Sequence, residues 1–521
     1  MKKFSHKVTA VVMSAAIMAS AIVGFGQASD NKTRSQTVTV VNEEYSASVS
    51  NETNTVNTQA PKYIFLFIGD GMSYPQIQSA SYYLGAKNHD GGVVTEELSF
   101  MNFPVVGSAQ TFDSTSFCPD SASTATSIST GNKTYSGVIN MDTTKTIAFE
   151  TISEKLKSQY GYKIGILTTV NLNHATPAAF YAHQASRSNY YEIGQELIAS
   201  GFDYFAGGGL LSPTGKKENL PNLYDVAKEA GYTVAATQSE IAAINQSSGK
   251  VIAIDEHLAD SDAMAYDMDR GEGQWQLADY VQKGIEVLDN DKGFFMMVEG
   301  GKIDWACHAN DAAATINDTL AFDKAVQTAY RFYEQHPSET LIIVTGDHET
   351  GGLTIGFAGT NYDTYLKNLE NQKVSFAKFD TDYVENYRNN NTPFSQVLVD
   401  IKNNFGLVTQ DDAAAAADPT LVLTDYEVRK LKAAYERTLK TGASTQDKMS
   451  QEEYVLYGTY EPLSVTITHI LNNKSGVAFT SYSHTGLPVP VFAIGNSSSL
   501  FAGYYDNTDI YNKLAAITKV K

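Results

Sequence analysis

From Pro61 onward, short unbroken apolar runs alternate with longer stretches in which apolar residues return every third or fourth position. The runs at Tyr63 to Ile68, Lys163 to Thr168, Tyr232 to Ala235, Val251 to Ile254, Phe294 to Val298, Leu341 to Val344 and Val489 to Ile494 predict buried strands. Between them, Ile147 to Ser158, Tyr190 to Ala199, Leu220 to Ala230, Trp275 to Leu288 and Asp311 to Glu334 carry helical spacing. Strands alternating with helices imply an α/β fold with a mostly parallel central sheet covered on both faces. The pattern breaks over 356–480, where Tyr- and Asn-rich stretches, an alanine run from Ala413 to Ala417 and an amphipathic Tyr426 to Leu439 take over. That stretch predicts a large late insertion in a core that spans 61–355 and resumes at 481–521.

The N-terminal end has a different pattern. Lys2, Lys3 and Lys7 precede an apolar run from Val8 to Phe25 and small residues at Gly26 and Ala28, the layout of a cleavable export signal over 1–28. Residues 29–60 are rich in Ser, Thr, Asn and Val and predict a polar linker or N-terminal arm. The expected location is periplasmic or extracellular, with no membrane span left after cleavage.

Composition narrows the partners. The 521 residues carry 38 Lys and Arg against 58 Asp and Glu, a net charge of -20, so bulk electrostatics exclude nucleic-acid binding. An anion handled by such a chain needs local positive charge from metal ions, an Arg or a helix N-terminus. Only two cysteines occur, Cys118 and Cys307, so the fold cannot rest on a disulfide framework, and their pairing stays open.

In open α/β sheets, ligands bind beyond the carboxyl ends of the strands. There the sequence places Gly69-Asp70-Gly71 after the first run, Glu299-Gly300-Gly301 after Met296-Met297-Val298, and Thr345-Gly346-Asp347-His348 after Leu341 to Val344. A single acid beside Gly is ordinarily a turn cap, but three strands delivering acids to one edge form a candidate site. Asp304 and His308 stand four apart, on one face of any helix, a spacing that suits zinc. Pro119-Asp120-Ser121-Ala122 reads as a helix start, where amides and macrodipole favour an anion beside the Ser121 hydroxyl. No Gly-x-Ser-x-Gly elbow surrounds this serine, so a metal, not a triad, is its candidate activator.

These motifs, Ile68-Gly-Asp-Gly-Met72, Pro119-Asp-Ser-Ala122, Glu299 through His308, Thr345-Gly-Asp-His-Glu349 and Ser483-His484-Thr485-Gly486, occur in the order found in alkaline phosphatases, and the chain resembles that family over about 61–355 and 481–500. The resemblance implies a three-layer α/β/α sandwich and hydrolysis of phosphate monoesters through a phosphoserine on Ser121. It implies two zinc ions, one held by Asp304, His308 and His484 and the other by Asp70, Asp347 and His348, plus one magnesium held by Asp70, Thr176 and Glu299. Arg187 would grip the phosphate, with Asp120 orienting it and His174 and Trp305 standing just outside the ligands. A homodimer is the common assembly, although a monomer is compatible with so large an insertion. Broad specificity follows if the leaving group stays in solvent.

The enterobacterial form of the family has an Asp and a Lys where this chain has His174 and Trp305. Loss of that Lys predicts weaker product binding, and loss of the Asp a stronger magnesium dependence. A phosphodiesterase or sulfatase of the same superfamily is the nearest alternative, but Cys118-Pro119-Asp120-Ser121-Ala122 lacks the Cys-x-Pro-x-Arg of sulfatases, and related diesterases usually present Thr. An exported metal-binding protein without turnover is the alternative from another class.

Overall fold

The computed structural model describes residues 60–440 and 444–521, so the expected export signal and nearly all of the expected arm lie outside the described residues. Ten strands form one sheet: β1 (Tyr63–Gly69), β2 (Val105–Gln110), β3 (Lys163–Thr168), β4 (Tyr204–Gly207), β5 (Tyr232–Ala235), β6 (Lys250–Ile254), β7 (Phe294–Glu299), β8 (Thr340–Gly346), and, after four two-residue strands, β13 (Val489–Gly495) and β14 (Gly503–Asp506). The two-residue strands are β9 (Glu349–Thr350), β10 (Thr354–Ile355), β11 (Val477–Ala478) and β12 (His484–Thr485). The order across the sheet is β14-β2-β13-β8-β1-β7-β3-β4-β6-β5, and β13 alone runs antiparallel to its neighbours β8 and β2.

β1 shows why the run is unbroken: all seven of its residues are buried. Tyr63, Phe65 and Phe67 enter one apolar cluster and Ile64, Leu66 and Ile68 the other, so the two faces of the pleat are covered by separate helical layers. Helices α1 (Tyr74–Asn88), α4 (Leu277–Leu288) and α6 (Ala312–Gln335) contribute to the first cluster. Helix α2 (Ser121–Thr130) lies with the second, beside the short α3 (Ala175–Ala178). This is the α/β sandwich expected from the sequence.

Several elements depart from expectation. Only Ile152–Lys155 of the expected 147–158 helix is α-helical, followed by a wide turn over Leu156–Tyr160, because Thr151 and Glu154 form the capping box that starts it. Helix α1 carries no apolar stripe, since it buries Gln76, Ser79 and Ser81 as well as Ile77 and Ala80. The alanine run 413–417 forms turns. Between β10 and β11, which pair antiparallel, the chain is mainly helical, including α7 (Asp425–Thr438) and α8 (Pro462–Ser475). Among the described residues no helix is long and apolar enough to cross a membrane.

Candidate active site

The site is assembled at the carboxyl edge of the central strands. Gly69 of β1 pairs with Gly346 of β8, so Asp70 and Asp347 follow at the same level on neighbouring strands. Glu299 ends β7 in register with both Ile68 and Thr168. The Thr168 hydroxyl donates to Glu299 Oε2 at 2.5 Å. After two glycines, helix α5 (Lys302–His308) begins and carries Asp304 and His308 on one face. β9 and β12 pair antiparallel, setting His484 opposite Thr350. Gly71 is required here: its φ is +70°, and a Cβ would come within 3.0 Å of Asp304 Oδ1.

Helix α2 is built almost wholly from Ser, Thr and Ala, poor helix formers apart from Ala, and all ten residues are buried. Several of its hydroxyls bond back one turn, Thr124 Oγ1 to Asp120 O at 3.0 Å and Thr130 Oγ1 to Thr126 O at 2.7 Å, which satisfies them within the helix's buried surroundings. Asp120 caps it by accepting from Ser123 N, which leaves Ser121 as its first residue. Ser121 Oγ lies 3.1 Å from His348 Nε2 and 3.5 Å from Asp70 Oδ1. The other oxygen of Asp120 accepts from Arg187 at 2.9 Å, and the guanidinium also donates to His174 Nε2 at 3.1 Å. Ser121, Arg187, His174, Asp304, Trp305, His308 and His484 line one pocket of about 400 Å³.

Three groups of ligating atoms converge, each within 4.8 Å: Asp304, His308 and His484; Asp70, Asp347 and His348; and Asp70, His174 and Glu299. Thr176 Oγ1 donates to Asp70 Oδ2 at 3.2 Å, beside the third group. His174, expected just outside the ligands, stands beside Asp70 and Glu299, with its Nε2 bonded by Arg187 and its Nδ1 buried without a partner. Trp305 stays outside, edge-on to His174 with ring centroids 5.9 Å apart. Cys118 is exposed, Cys307 is buried, and both thiols are free.

The chemistry of these groups fits cations. His308 Nδ1 bonds the Tyr482 carbonyl at 2.6 Å and His484 Nδ1 the Pro119 carbonyl at 2.5 Å. Since a carbonyl only accepts, each Nδ1 carries a proton, which turns the two Nε2 atoms toward one another across 3.0 Å as the ligating positions. His348 is set the same way: its Nδ1 lies 3.2 Å from the Thr350 hydroxyl, which itself donates to Asp304 Oδ1 at 2.6 Å. Glu299 Oε1 is buried without a donor.

The charges agree. Burial and the nearby carboxylates hold Asp70 well above the usual carboxylate range, and burial pushes Asp347 up to about 7 and Glu299 up to about 8. Burial also raises Asp304, but His308, His484 and His348 outweigh it and hold that carboxyl well below. Burial and then the charge of Arg187 push His174 down to about 3, so its ring is neutral. So many buried carboxyls at one point repel each other until positive charge enters.

Sequence reasoning missed the supports of this site. Thr350, Thr124 (to Asp347 Oδ2, 3.1 Å), Thr168 and Gln76 (to Glu349 Oε1, 2.7 Å) hold the acids. Thr350 could have been found from its place two residues after His348; the others become visible only once strand order is known.

The model of the alkaline phosphatase family matches residues 61–520. The chain belongs to the alkaline phosphatase family. Alkaline phosphatase 4 of Bacillus subtilis (strain 168) is 30% identical over 465 residues, covering 88% of this chain and 88% of that protein. The crystal structure of a cold-active alkaline phosphatase from a psychrophilic Shewanella sp. matches with a TM-score of 0.70 at 27% identity, over 88% of this chain and 99% of that one. A histidine-to-glutamate variant of the alkaline phosphatase of the Antarctic bacterium TAB5, described with Mg bound in the M3 site, matches at a TM-score of 0.60 and 26% identity, over 89% and 99%. Membership in this metal-dependent family makes the chain an enzyme, a phosphoric monoester hydrolase.

Proposed function

We propose that the chain hydrolyses phosphate monoesters through a phosphoserine on Ser121, with two zinc ions and one magnesium ion. Asp304, His308 and His484 would hold the first zinc, Asp70, Asp347 and His348 the second, and Asp70, Thr176 and Glu299 the magnesium, with His174 beside them. When bound, such cations supply Lewis-acid stabilisation of the serine alkoxide and of the leaving oxygen. The observation that carries the reading is the convergence of these donor groups on the first residue of α2, beside Arg187.

The chain's own groups divide the remaining work. Arg187, held by Asp120 and His174, offers a guanidinium fork to two non-bridging phosphate oxygens. The α2 amides face the same anion. Ser121 Oγ attacks phosphorus, forming the new P–O bond as the ester P–O bond to the alcohol breaks. Water then attacks the phosphoserine, which releases inorganic phosphate and restores the Ser121 hydroxyl. A monoester keeps a third non-bridging oxygen, which a diester lacks, for the α2 amides or a cation.

We also take 356–480 as an insertion in the catalytic core, 1–28 as an export signal, and a homodimer as the assembly. The test is a phosphatase assay with elemental analysis of protein purified without chelator. Two zinc equivalents and activity abolished by Ser121→Ala are expected. Activity that survives Ser121→Ala, or fewer than two equivalents with no gain on adding zinc, overturns the mechanism.

A further inference from the structure

The pocket is larger than the reaction needs. A phosphoryl group and a cation at Asp304, His308 and His484 fill only part of about 400 Å³, a volume in the range that encloses whole small molecules. Beyond Ser121, Arg187, His174 and the Asp304, His308 and His484 group, the lining is Tyr266, Trp305, Phe376 and Tyr460 with Asp260 and Ser261. Two of these rings come from the segment between β10 and β11, so that segment completes the pocket.

The rings are fixed in place. Phe376 and Tyr460 meet edge to face, with centroids 5.7 Å apart at 83°, and Tyr266 packs against Phe376 at 5.7 Å. The Phe376 amide donates to Asp311 Oδ2 at 2.9 Å, which ties it to the start of α6. Lys302, wholly buried, places its ammonium 3.8 Å from the Tyr266 ring centre and 4.6 Å from that of Trp305, and it pairs with Asp260 at 2.8 Å. Trp305, Phe376 and Tyr460 remain half-buried. Tyr266, behind them, is buried, so the three half-buried rings offer the open faces.

We propose that this outer part is a subsite for a planar aromatic leaving group, the nucleobase of a nucleoside monophosphate. Rigid ring faces stack on a base at little entropic cost, and the oxygens of Asp260 and Ser261 accept from exocyclic amines. This deepens the phosphomonoesterase reading and rests on it. It narrows the expectation that the leaving group stays in solvent.

The experiment compares kcat/KM of the metal-loaded enzyme for adenosine 5′-monophosphate and for glycerol 1-phosphate. A preference of about tenfold for the nucleotide is expected from one stacked base. Tyr460→Ala and Phe376→Leu should bring the ratio to within about twofold of one, and Tyr460→Phe should keep it. Adenosine should compete with glycerol 1-phosphate in the wild-type enzyme and lose this in Tyr460→Ala. Equal turnover of both esters by the wild type, or a ratio unmoved by both ring removals, overturns the subsite alone. Turnover of neither ester overturns the phosphatase reading and the subsite with it.

Discussion

Two ligand groups a few ångströms apart are built in different ways. In the inner one, Asp70, Asp347 and His348 are 0% exposed and follow neighbouring strands whose register fixes their level. In the outer one, His308 is 25% and His484 12% exposed, and His484 comes from a two-residue strand reached after the long β10–β11 excursion. The inner group is held by the sheet, whereas the outer one depends on tethers: Nδ1 of His308 to Tyr482 O and of His484 to Pro119 O. Sheet register is costly to disturb, and a tether is not. The inner group should therefore bind tightly and irreplaceably, and the outer one reversibly.

Removing one ligand from each group tests that contrast most strongly. Asp347→Ala should lower kcat by at least about 10³-fold, and added zinc should not restore it, because Ser121 borders that group directly. His484→Ala should cost about 10²-fold at trace zinc and recover at millimolar zinc. Activity and bound zinc followed across a zinc titration read both. Equal rescue of the two variants breaks the contrast. Graded dialysis against a chelator should likewise strip the outer group first, with activity falling before the melting temperature does.

The sequence made the inner group legible and the outer one only in part, for a physical reason. Strand-end acids sit in apolar runs that announce themselves, and the Asp304/His308 spacing needs nothing beyond helix periodicity. The link from His308 to His484 spans 176 positions, and only the resemblance supplied it. The hold of His174 on Arg187 was not legible, because it depends on a loop between β3 and α3 whose path no periodicity encodes. α1 was missed because a helix that buries hydroxyls and amides among apolar neighbours has no amphipathic signature.

A smaller perturbation should reach the outer group alone. Asn310, at φ +53°, donates to Ser481 O at 2.8 Å, accepts from His469 Nε2 at 3.0 Å, and its carbonyl accepts from Asn472 at 2.8 Å. It fastens the end of α5 to α8 and to the segment bearing Tyr482 and His484. Asn310→Gly keeps the backbone conformation and removes the side-chain bonds. Zinc affinity should fall about tenfold at one site, read as a shift in half of the zinc titration. A shift at both sites would show that the tether serves the whole pocket.

The mildest test leaves neutral-pH activity alone and loosens the late segment with alkali. Asp380, half-buried and bonded by the Ser464 hydroxyl on α8, is pushed up to about 8, chiefly by desolvation and in smaller part by Glu461. The unfolded chain sheds this proton near the ordinary carboxyl value of 3.8, while the folded chain keeps it to about 8. The native state thus binds more protons between those values, so this residue makes folding less favourable as pH rises from about 4 to about 8 and adds no further slope above that. Asp380→Asn has no proton to lose, so its stability should fall less than the wild type's between pH 6 and pH 9, by about 1–2 kcal/mol. Because α8 anchors the Asn310 tether, that difference should appear in zinc retention as well as in calorimetric melting temperatures. Parallel pH curves for the two proteins would mean that Asp380 is ionised in the fold, and that the outer group owes its looser hold to exposure alone.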